Sequence, residues 1–538
     1  MENSPKNNNP FLPLFFAIVL VIGIFIGIRL SRNSQQNQLI EMFNSSNLSS
    51  NKLDELLDYV VRDYVDTLDR DSLTDLTIEN LLNNLDPHSA YIPATDLQAT
   101  NEPLNGNFEG IGIEFNILRD TIYVVTAIPG GPSEKAGIKS GDKIIMVDGK
   151  KVAGVGITNE MVFQNLKGKG GTVVTIGVLR FGTKQIENFK ITRGRIPIYS
   201  VDASYMMDSI TGYIKISRFA SNTYTEFKEA IIKLEKMGMK QMLLDLRGNP
   251  GGFLDAAIAI SDEFLPKGKM IVYTQGKNKP RQNSMASEKG QFEKQKLAIL
   301  IDENSASASE IVAGAVQDND RGIIVGRRSF GKGLVQEQNE FRDGSAIRLT
   351  IARYYTPTGR CIQKPYENGH LEDYYHEEIN RYDSGELVNK DSIKTNKKLK
   401  YTTPKGKIVY GGGGIMPDYF IPIDTTKLSK YISELIYKNV INDFALEYVN
   451  KNRSNFNYNN ANQFNEQFKV NNALVNELKT YATKNKINNA NDLTKGFDIL
   501  SIHLKAYIAK VLFNQEAWFV VKNAHDEACK TALAELSK

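Results

Sequence analysis

Residues 241–252 decide the fold of the largest predicted domain; they read Gln241-Met-Leu-Leu-Asp-Leu-Arg-Gly-Asn-Pro-Gly-Gly252. The first six are mostly apolar, which is typical of a buried strand, and the last six predict a turn rich in glycine. A helical pattern follows from Leu254 to Leu265. Strand–loop–helix units of this kind indicate an α/β fold and place loop residues at the carboxyl ends of strands, where functional sites usually form.

A second unit repeats this pattern further along the chain. The apolar run 297–301 predicts a strand, and residues 306–317 predict a helix. A glycine-rich turn that carries Lys332 comes next, and residues 334–337 predict another strand. We therefore expect an α/β domain over residues 196–424.

The segments on either side of this domain have different patterns. Residues 105–195 alternate short β-branched runs with Gly, Pro and Asp turns, which predicts a β-rich domain. One helix interrupts them, with Thr158 as its N-cap and its end near Leu166. Residues 31–104 predict a polar spacer and then a helical segment, and residues 425–538 predict a helical C-terminal region without recognisable chemistry.

The N-terminal end predicts a transmembrane anchor. Residues 11–28 carry no charge and are mostly Phe, Leu, Ile and Val. At roughly 1.5 Å per residue, such a helix nearly spans a bilayer core. No small-residue cleavage site follows, and Arg29 and Arg32 come next. We expect an uncleaved anchor over residues 11–30, after a short tail of residues 1–10.

The composition excludes several classes of protein. The 538 residues include 66 Lys and Arg against 62 Asp and Glu, a net charge of +4. This balance argues against a nucleic-acid partner, and two cysteines cannot build a disulfide framework or a four-ligand zinc site. Five histidines are few for this length. His370 and His376 fall in what looks like an inserted loop and His88 lies far upstream, so a Ser-His-Asp triad lacks its histidine.

The best candidate nucleophiles are Ser305, Ser307 and Ser309, at the start of the second predicted helix. One interpretation is structural, because serines cap helices and small residues pack closely. The other is catalytic, because a helix N-terminus offers amide donors to a developing oxyanion. Lys332 could then serve as the base, since a desolvated lysine loses its charge. Spacing alone leaves both interpretations open.

Six segments occur in a recognisable order between about Asn51 and Asp424: Leu85-Asp-Pro-His-Ser-Ala-Tyr91, Asp245-Leu-Arg-Gly-Asn-Pro-Gly-Gly252, Ser305-Ala-Ser-Ala-Ser-Glu-Ile311, Ser329-Phe-Gly-Lys-Gly-Leu-Val-Gln336, Tyr355-Thr-Pro-Thr-Gly-Arg360 and Gly412-Gly-Gly-Ile-Met-Pro-Asp418. In this order and spacing the chain resembles the C-terminal processing peptidases, also called tail-specific serine proteases. Each motif is weak alone, but the set is highly specific. The stretch 365–401 is longer and more charged than the resemblance predicts, so we expect an insertion there.

The resemblance also implies roles for individual residues. By position, Ser307 is similar to the family's nucleophile and Lys332 to its general base. Gln336 matches the residue that orients the base. Asp318 matches an acidic position that supports the site in some members.

The same resemblance predicts an oxyanion hole and requires no metal or cofactor. The backbone amide of Ala308 would supply one donor. The second would come from Gly251 or Gly252, with Gly252 slightly favoured.

The β-rich stretch is similar to a PDZ domain. Gly110-Ile111-Gly112-Ile113 stands where the carboxylate-binding loop of such a domain belongs. Successive amides there could hold a terminal carboxylate, and the next strand could accept a peptide by β-augmentation.

Together these inferences predict a multidomain, membrane-anchored serine endopeptidase that recognises protein C-terminal tails and cleaves with a Ser-Lys dyad. Similar proteins place the catalytic body outside the cytoplasmic membrane, so we expect a single-pass inner-membrane protein with a periplasmic body. A homo-oligomer or an adaptor partner is possible in such a layout. The alternative function is a catalytically inactive, membrane-tethered PDZ adaptor.

Overall fold

The computed structural model describes residues 52–180, 182–424, 428–488 and 496–538. The anchor predicted over residues 11–30 and the tail before it lie outside these ranges. Within the described ranges, no helix is both long and apolar enough to cross a bilayer. The chain divides into two units, Met1–Leu81 and Leu82–Lys538.

Helices dominate the described residues ahead of the β-rich domain, as predicted. They are α1 (52–63), α2 (Arg70–Asn83) and α3 (Ala94–Asn105). One element corrects the helical expectation, because β1 (Ala90–Ile92) is a strand that pairs antiparallel with residues 346–348. A three-residue strand whose partner is so distant in sequence leaves no local periodicity to detect.

The β-rich domain is a twisted antiparallel sheet with two short helices. The strand β2 (Asn107–Gly110) precedes this sheet and pairs with a later strand, residues 194–197. The elements of the domain are then β3 (Ile113–Ile117), β4 (Ile122–Ala127), α4 (Pro132–Lys135), β5 (Lys143–Val147), β6 (Lys150–Lys151), α5 (Asn159–Leu166), β7 (Val173–Leu179) and β8 (Ile186–Thr192). The strand order is β3-β4-β5-β7-β8, with β6 on β5. Thr158 caps α5 as predicted, since its side chain accepts a hydrogen bond from the Met161 amide.

The α/β domain follows, and it contains the two predicted strand–helix units. Its elements are β9 (Gly194–Pro197), β10 (Val201–Met206), β11 (Thr211–Ile216), α6 (Thr223–Lys236), β12 (Gln241–Asp245), α7 (Leu254–Asp262), β13 (Met270–Gln275), β14 (Gln282–Met285), β15 (Lys296–Ile301), α8 (Ala308–Asp318), β16 (Ile323–Gly326), β17 (Leu334–Glu340), β18 (Ala346–Tyr355), α9 (Leu371–Asp383), β19 (Lys400–Thr402), β20 (Ile408–Tyr410) and β21 (Tyr419–Phe420). The strand predicted at 334–337 is the start of β17.

The central sheet has the order β10-β11-β12-β15-β16-β21. All neighbours run parallel except β10 and β11. Every residue of β12 is buried, which is the pattern of a strand covered on both faces. Helices α6, α7 and α8 cover one face through Phe227, Ala257 and Val312. The loops after β12 and β15 therefore meet at one edge of the sheet.

A second sheet has the order β1-β18-β13-β14, with β17 also on β18. The segment after it corrects another expectation. Residues 371–383 form helix α9, with His370 as its N-cap residue, where an inserted loop was predicted. Its polar, aromatic-rich sequence carries few aliphatic residues, so the helical period was not evident.

The C-terminal region is helical, as predicted. Its helices are α10 (Lys430–Tyr437), α11 (Val440–Asn452), α12 (Ala461–Gln467), α13 (Asn472–Lys484), α14 (Phe497–Leu512), α15 (Gln515–Asn523) and α16 (Glu527–Ser537). Helices α15 and α16 cover the second face of the central sheet, where Phe519 and Ala532 pack with Leu243 and Leu300. Other helices of this region share a core with Leu118 and Val125 of the β-rich domain.

Candidate active site

Ser307 occupies an unusual backbone position at the start of α8. Its φ of 53° and ψ of −111° lie outside the regions that non-glycine residues ordinarily adopt. Backbone strain of this kind is found at functional sites more often than elsewhere, because the surrounding structure must hold it in place.

The structure distinguishes Ser307 from its two neighbours. Ser305 is fully buried and its hydroxyl donates to the Leu246 carbonyl at 2.9 Å. Ser309 is also fully buried and donates to the Asn249 carbonyl at 3.0 Å. Ser307 is only half-buried, and it takes part in a capping box at the start of α8, in which its side chain faces the Glu310 backbone nitrogen and Glu310 accepts from the Ser307 nitrogen. Of the three serines, Ser307 alone is accessible to a substrate.

Two backbone amides beside Ser307 are without an acceptor among the described residues: those of Ala308 and Gly252. The Gly251 amide differs, because it donates to Asn249 Oδ1 at 2.9 Å. A Cβ on Gly251 would lie 2.8 Å from Ser307 Cβ and 3.0 Å from the Ala308 nitrogen. This geometry favours Gly252 as the second oxyanion donor, with Gly251 keeping the space clear.

A buried carboxylate links the serine turn to the lysine loop. Glu310 accepts hydrogen bonds from the backbone nitrogens of Ser307 at 2.8 Å, Gly331 at 2.7 Å and Lys332 at 2.9 Å. It also accepts one from Ser329 Oγ at 2.5 Å. Burial raises the pKa of Glu310 to about 7, against the opposing effect of these four donors. Sequence reasoning missed this role, although a Glu three residues after a capping serine is a recognisable signal.

Lys332 is partly buried in a loop between β16 and β17. Burial lowers the pKa of its ammonium, and Arg348 lowers it further, whereas Asp86 and Glu310 act in the opposite direction. The Tyr354 hydroxyl lies 2.6 Å from the Lys332 carbonyl and 3.2 Å from that of Ser307. In the part of the chain that the structure describes, Ser307 Oγ and Lys332 Nζ do not hydrogen-bond to each other.

Gln336, the predicted orienter of the base, lies on β17. Its side-chain amide donates to Thr350 Oγ1 at 3.4 Å, and Thr350 Oγ1 donates to Asp86 Oδ1 at 3.0 Å. Asp86 also accepts from the hydroxyl of Ser89 at 2.5 Å. Gln336 therefore reaches the neighbourhood of Lys332 through Thr350 and Asp86, and within the described ranges it makes no bond to the lysine itself.

Asp318 lies at the other end of α8 from Ser307. Its carboxylate forms a fully buried ion pair with Arg360 at 2.7 Å. It also accepts from the hydroxyls of Thr356 at 2.5 Å and Thr358 at 2.6 Å. At about 1.5 Å of rise per residue, the helix separates Asp318 from the serine turn by roughly 15 Å. Its contacts are those of a residue that anchors the Tyr355–Arg360 motif.

The candidate peptide loop joins β2 to β3. Ile111 is buried, Gly112 has a φ of +76°, and a Cβ on Gly112 would lie 2.8 Å from Ile196 Cδ1. β3, which begins at Ile113, is an end strand of its sheet. The rings of Phe115 on β3 and Phe163 on α5 are 5.8 Å apart. The loop after Gly110 thus leads into a strand that has a neighbouring strand on one side only among the described residues. The contact between Phe115 and Phe163 places α5 beside that strand.

His88 lies closer to the lysine than the sequence indicated. Its Nε2 lies 2.9 Å from the Tyr374 hydroxyl of α9. Burial, with a contribution from the nearby positive Lys332, lowers the pKa of His88 to about 3, so the imidazole is neutral at physiological pH. No group of three or more His, Cys, Asp or Glu side chains in the described ranges could hold a metal ion.

Comparison with known proteins identifies the families to which the domains of this chain are similar. Residues 210–374 match the model of peptidase family S41, residues 110–191 match a PDZ domain, and residues 431–514 match a family of unknown function. The chain is 35% identical over 369 residues to the carboxy-terminal processing protease CtpA of Bacillus subtilis (strain 168), an alignment that covers 68% of this chain and 78% of that protein.

Two further proteins extend the comparison. The carboxy-terminal-processing protease of Bartonella bacilliformis is 36% identical over 358 residues, which cover 64% of this chain and 80% of that protein. A solved structure of the photosystem II D1 C-terminal processing protease is 25% identical with a TM-score of 0.36, and covers 68% of this chain and 86% of that chain. From its domain matches and its identity to the proteases of Bacillus subtilis and Bartonella bacilliformis, the chain belongs to the carboxy-terminal processing proteases, serine-type proteases of peptidase family S41 with a PDZ domain.

Proposed function

We propose that this protease is a membrane-anchored endopeptidase that recognises protein C-terminal tails through its PDZ domain and cleaves them with a dyad of Ser307 and Lys332. The observation that carries the proposal is the turn at Ser307. There a strained, accessible serine lies beside the backbone amides of Ala308 and Gly252, which have no acceptor among the described residues. Glu310 accepts hydrogen bonds from the backbone nitrogens of both Ser307 and Lys332.

The chemistry follows from these groups. Ser307 Oγ attacks the scissile carbonyl carbon while neutral Lys332 Nζ accepts the hydroxyl proton. The amides of Ala308 and Gly252 stabilise the oxyanion that forms on the carbonyl oxygen. Lys332 then returns the proton to the departing amine as the C–N bond breaks. A water molecule then attacks the acyl carbon while Lys332 Nζ takes its proton, and Lys332 returns that proton to Ser307 Oγ as the ester C–O bond breaks and the acid departs.

The lowered pKa of Lys332 supports its assignment as the base. A lysine at its ordinary pKa is protonated at neutral pH and accepts no proton, whereas burial increases the neutral fraction. Within the described residues, Ser307 Oγ and Lys332 Nζ are not hydrogen-bonded to each other. Catalytic hydrogen bonds often tighten only when substrate binds, so we propose that substrate brings the two side chains together.

We propose that the loop Gly110–Ile113 holds the terminal carboxylate of a substrate. The support is the position of the loop before β3, which is an end strand of its sheet among the described residues. An extended tail could add there as a further strand, since β-augmentation uses exposed sheet edges. The aromatic rings of Phe115 and Phe163 favour apolar side chains in that tail.

The cellular placement is a further proposal, and its support is sequence alone. Residues 11–28 are uncharged and apolar, which fits a single span of the cytoplasmic membrane. We propose that the catalytic body is periplasmic. Assembly as a homo-oligomer or with an adaptor is compatible with this layout and belongs to the same proposal.

The test is cleavage of an unstructured protein with an apolar C-terminal tail. We expect activity from the parent enzyme and none from Ser307→Ala or Lys332→Ala. Full activity in either variant would exclude the dyad. A covalent serine-directed probe, located by mass spectrometry, should label Ser307; an adduct on Ser305 or Ser309 would move the nucleophile. Tail binding without cleavage by any form would instead establish the inactive adaptor.

A further inference from the structure

Helix α9 lies in the expected insertion 365–401, to which the proposed reaction assigns no role. One of its residues contacts the loop that carries Lys332. Arg381 is only 4% exposed, and its Nη2 donates to the Arg328 carbonyl at 2.6 Å. Its Nη1 donates to the Ser329 carbonyl at 3.1 Å. A single guanidinium thus holds two consecutive carbonyls just before the lysine.

Arg381 is itself fixed by buried charges. Its Nε donates to Glu386 Oε1 at 2.9 Å, and Glu386 also accepts from Nε and Nη2 of Arg328 at 2.7 and 2.8 Å. Both Glu386 and Arg328 are buried. A buried charge is stable only when it is paired and fully hydrogen-bonded, so this arrangement tolerates little movement.

A second set of contacts joins α9 to the same loop. Lys364 donates from its backbone nitrogen to the Gly331 carbonyl at 2.8 Å. Its Nζ donates to Glu377 of α9 at 2.9 Å. Tyr374 of α9 reaches His88, whose pKa responds to the charge of Lys332. The insertion therefore contacts the lysine loop through carbonyls, whereas Glu310 contacts it through the Gly331 and Lys332 nitrogens and the Ser329 hydroxyl.

We propose that Arg381 is a positioning residue that holds residues 328–332 through two main-chain carbonyls and so keeps Lys332 in its partly desolvated place. Glu310 fixes the loop from α8, and Arg381 fixes it from α9. The catalytic meaning of this inference rests on the proposed role of Lys332 as the base. The positional claim concerns Lys332 itself and can be measured without any cleavage assay.

The experiment measures the pKa of Lys332 directly. Trace labelling with acetic anhydride across a pH series, read by mass spectrometry, gives the reactivity of each amine as a function of pH. The charged groups around Lys332 are Arg348, Asp86 and Glu310, and all three stay unchanged in the variants. The variants are Arg381→Ala, Arg381→Lys and, as a control, Glu372→Gln at an exposed position of α9.

In Arg381→Ala we expect the pKa of Lys332 to rise toward that of an exposed lysine, because the loop loosens and the ammonium gains water. Arg381→Lys keeps the charge and can reach one carbonyl, so it should fall between the parent and Arg381→Ala. Glu372→Gln should match the parent. An unchanged Lys332 pKa in Arg381→Ala would overturn the proposal. If Arg381→Ala does not fold, an unchanged Lys332 pKa in Arg381→Lys would overturn the proposal instead.

Peptidase kinetics separate this inference from the proposed function. If both hold, the acid limb of kcat/KM moves to higher pH in Arg381→Ala, and kcat at neutral pH falls about 10-fold or more, with KM little changed, as a displaced base predicts. If the labelling pKa shifts but no serine-dependent cleavage exists in any form, the positioning role stands and the proposed function fails.

Discussion

Glu310 accepts a hydrogen bond from the backbone nitrogen of Lys332 at 2.9 Å, although 22 residues separate the two in the chain. The same carboxylate accepts one from the Ser307 nitrogen at 2.8 Å. Glu310 contributes no atom to the proposed reaction, but it links the backbones of Ser307 and Lys332, the two residues that react. The helix start and the lysine loop behave as one unit because this acceptor is shared.

The first prediction concerns that acceptor. Glu310→Gln keeps the shape of the side chain but replaces one acceptor oxygen with an NH₂ group that faces donors. We expect kcat to fall about 10- to 100-fold with little change in KM, because an unsatisfied buried donor costs roughly 1–3 kcal/mol and shifts the loop. Steady-state kinetics would measure this. Glu340→Gln, at an exposed position, is the control and should match the parent.

The glycine turn allows a matched pair of substitutions. A Cβ on Gly251 meets Ser307 Cβ and the Ala308 nitrogen, whereas a Cβ on Gly248 meets nothing within 4 Å. Both glycines have positive φ, so alanine strains the backbone in each. We expect Gly251→Ala to lose about 10²-fold or more in kcat, because its methyl group would displace the Ala308 amide that is proposed to hold the oxyanion, and Gly248→Ala to retain most activity. Equal kinetics in the two variants would contradict this assignment.

The pH dependence of kcat/KM should report Lys332. The neutral amine is the active form, so activity rises with pH and levels off above the lysine pKa. Because burial lowers that pKa, the acid limb should lie below the range of an exposed lysine. Arg348→Gln removes a charge that lowers the pKa, and we expect its acid limb to move to higher pH. Movement to lower pH would show that Lys332 is not the titrating base.

A separate prediction concerns stability where α11 meets the PDZ domain. Asn116 Nδ2 donates to Asp443 Oδ1 at 3.4 Å, and burial together with Glu447 raises the pKa of Asp443 to about 7. In the folded form the Asp443 carboxyl therefore stays protonated up to about pH 7, whereas in the unfolded chain it loses its proton near its ordinary pKa of 3.8. The stability contribution is complete at low pH and is lost as pH rises toward 7.

Asp443→Asn should remove the loss of stability that occurs as pH rises toward 7, because asparagine does not titrate. We expect its urea midpoint to exceed that of the parent by an amount that grows between pH 4 and pH 7. Glu466→Gln, an exposed carboxyl of the same region, should show no such growing difference. A constant offset between Asp443→Asn and the parent across this range would refute the linkage.

Much of the fold could be predicted because the signals are local. The apolar run at 241–246 and the Thr158 cap each depend on a few neighbouring residues, and the structure places a strand and a helix start there. β1 was missed because its partner strand lies far along the chain. α9 was missed because polar contacts to a distant loop hold it, namely the ion pair of Glu377 with Arg328 and the bonds of Arg381 to main-chain carbonyls, and these leave no apolar stripe in the sequence.

Part of the candidate site could be predicted from the sequence, and part could be found only in the structure. Motif order points to Ser307 and Lys332, and the structure adds why Ser305 and Ser309 are poor alternatives, since both hydroxyls are buried and occupied. The roles of Glu310 and Arg381 depend on which carbonyls and amides converge in three dimensions. No spacing rule contains that information, because the converging groups are main-chain atoms that every residue carries.

Helices α15 and α16 cover one face of the central sheet, and this arrangement imposes an order on biosynthesis. A ribosome releases the strands β12 and β15 roughly 270 and 210 residues, respectively, before it begins these helices, at about 5–20 residues per second. During that interval Leu243 and Leu300 lack the packing partners that bury them in the finished fold. The nascent protease therefore passes through a stage in which its site sequence exists but its sheet is half covered. Burial of Leu243 and Leu300, and with it the second face of the central sheet, is therefore completed only when the last helices of the chain have been made.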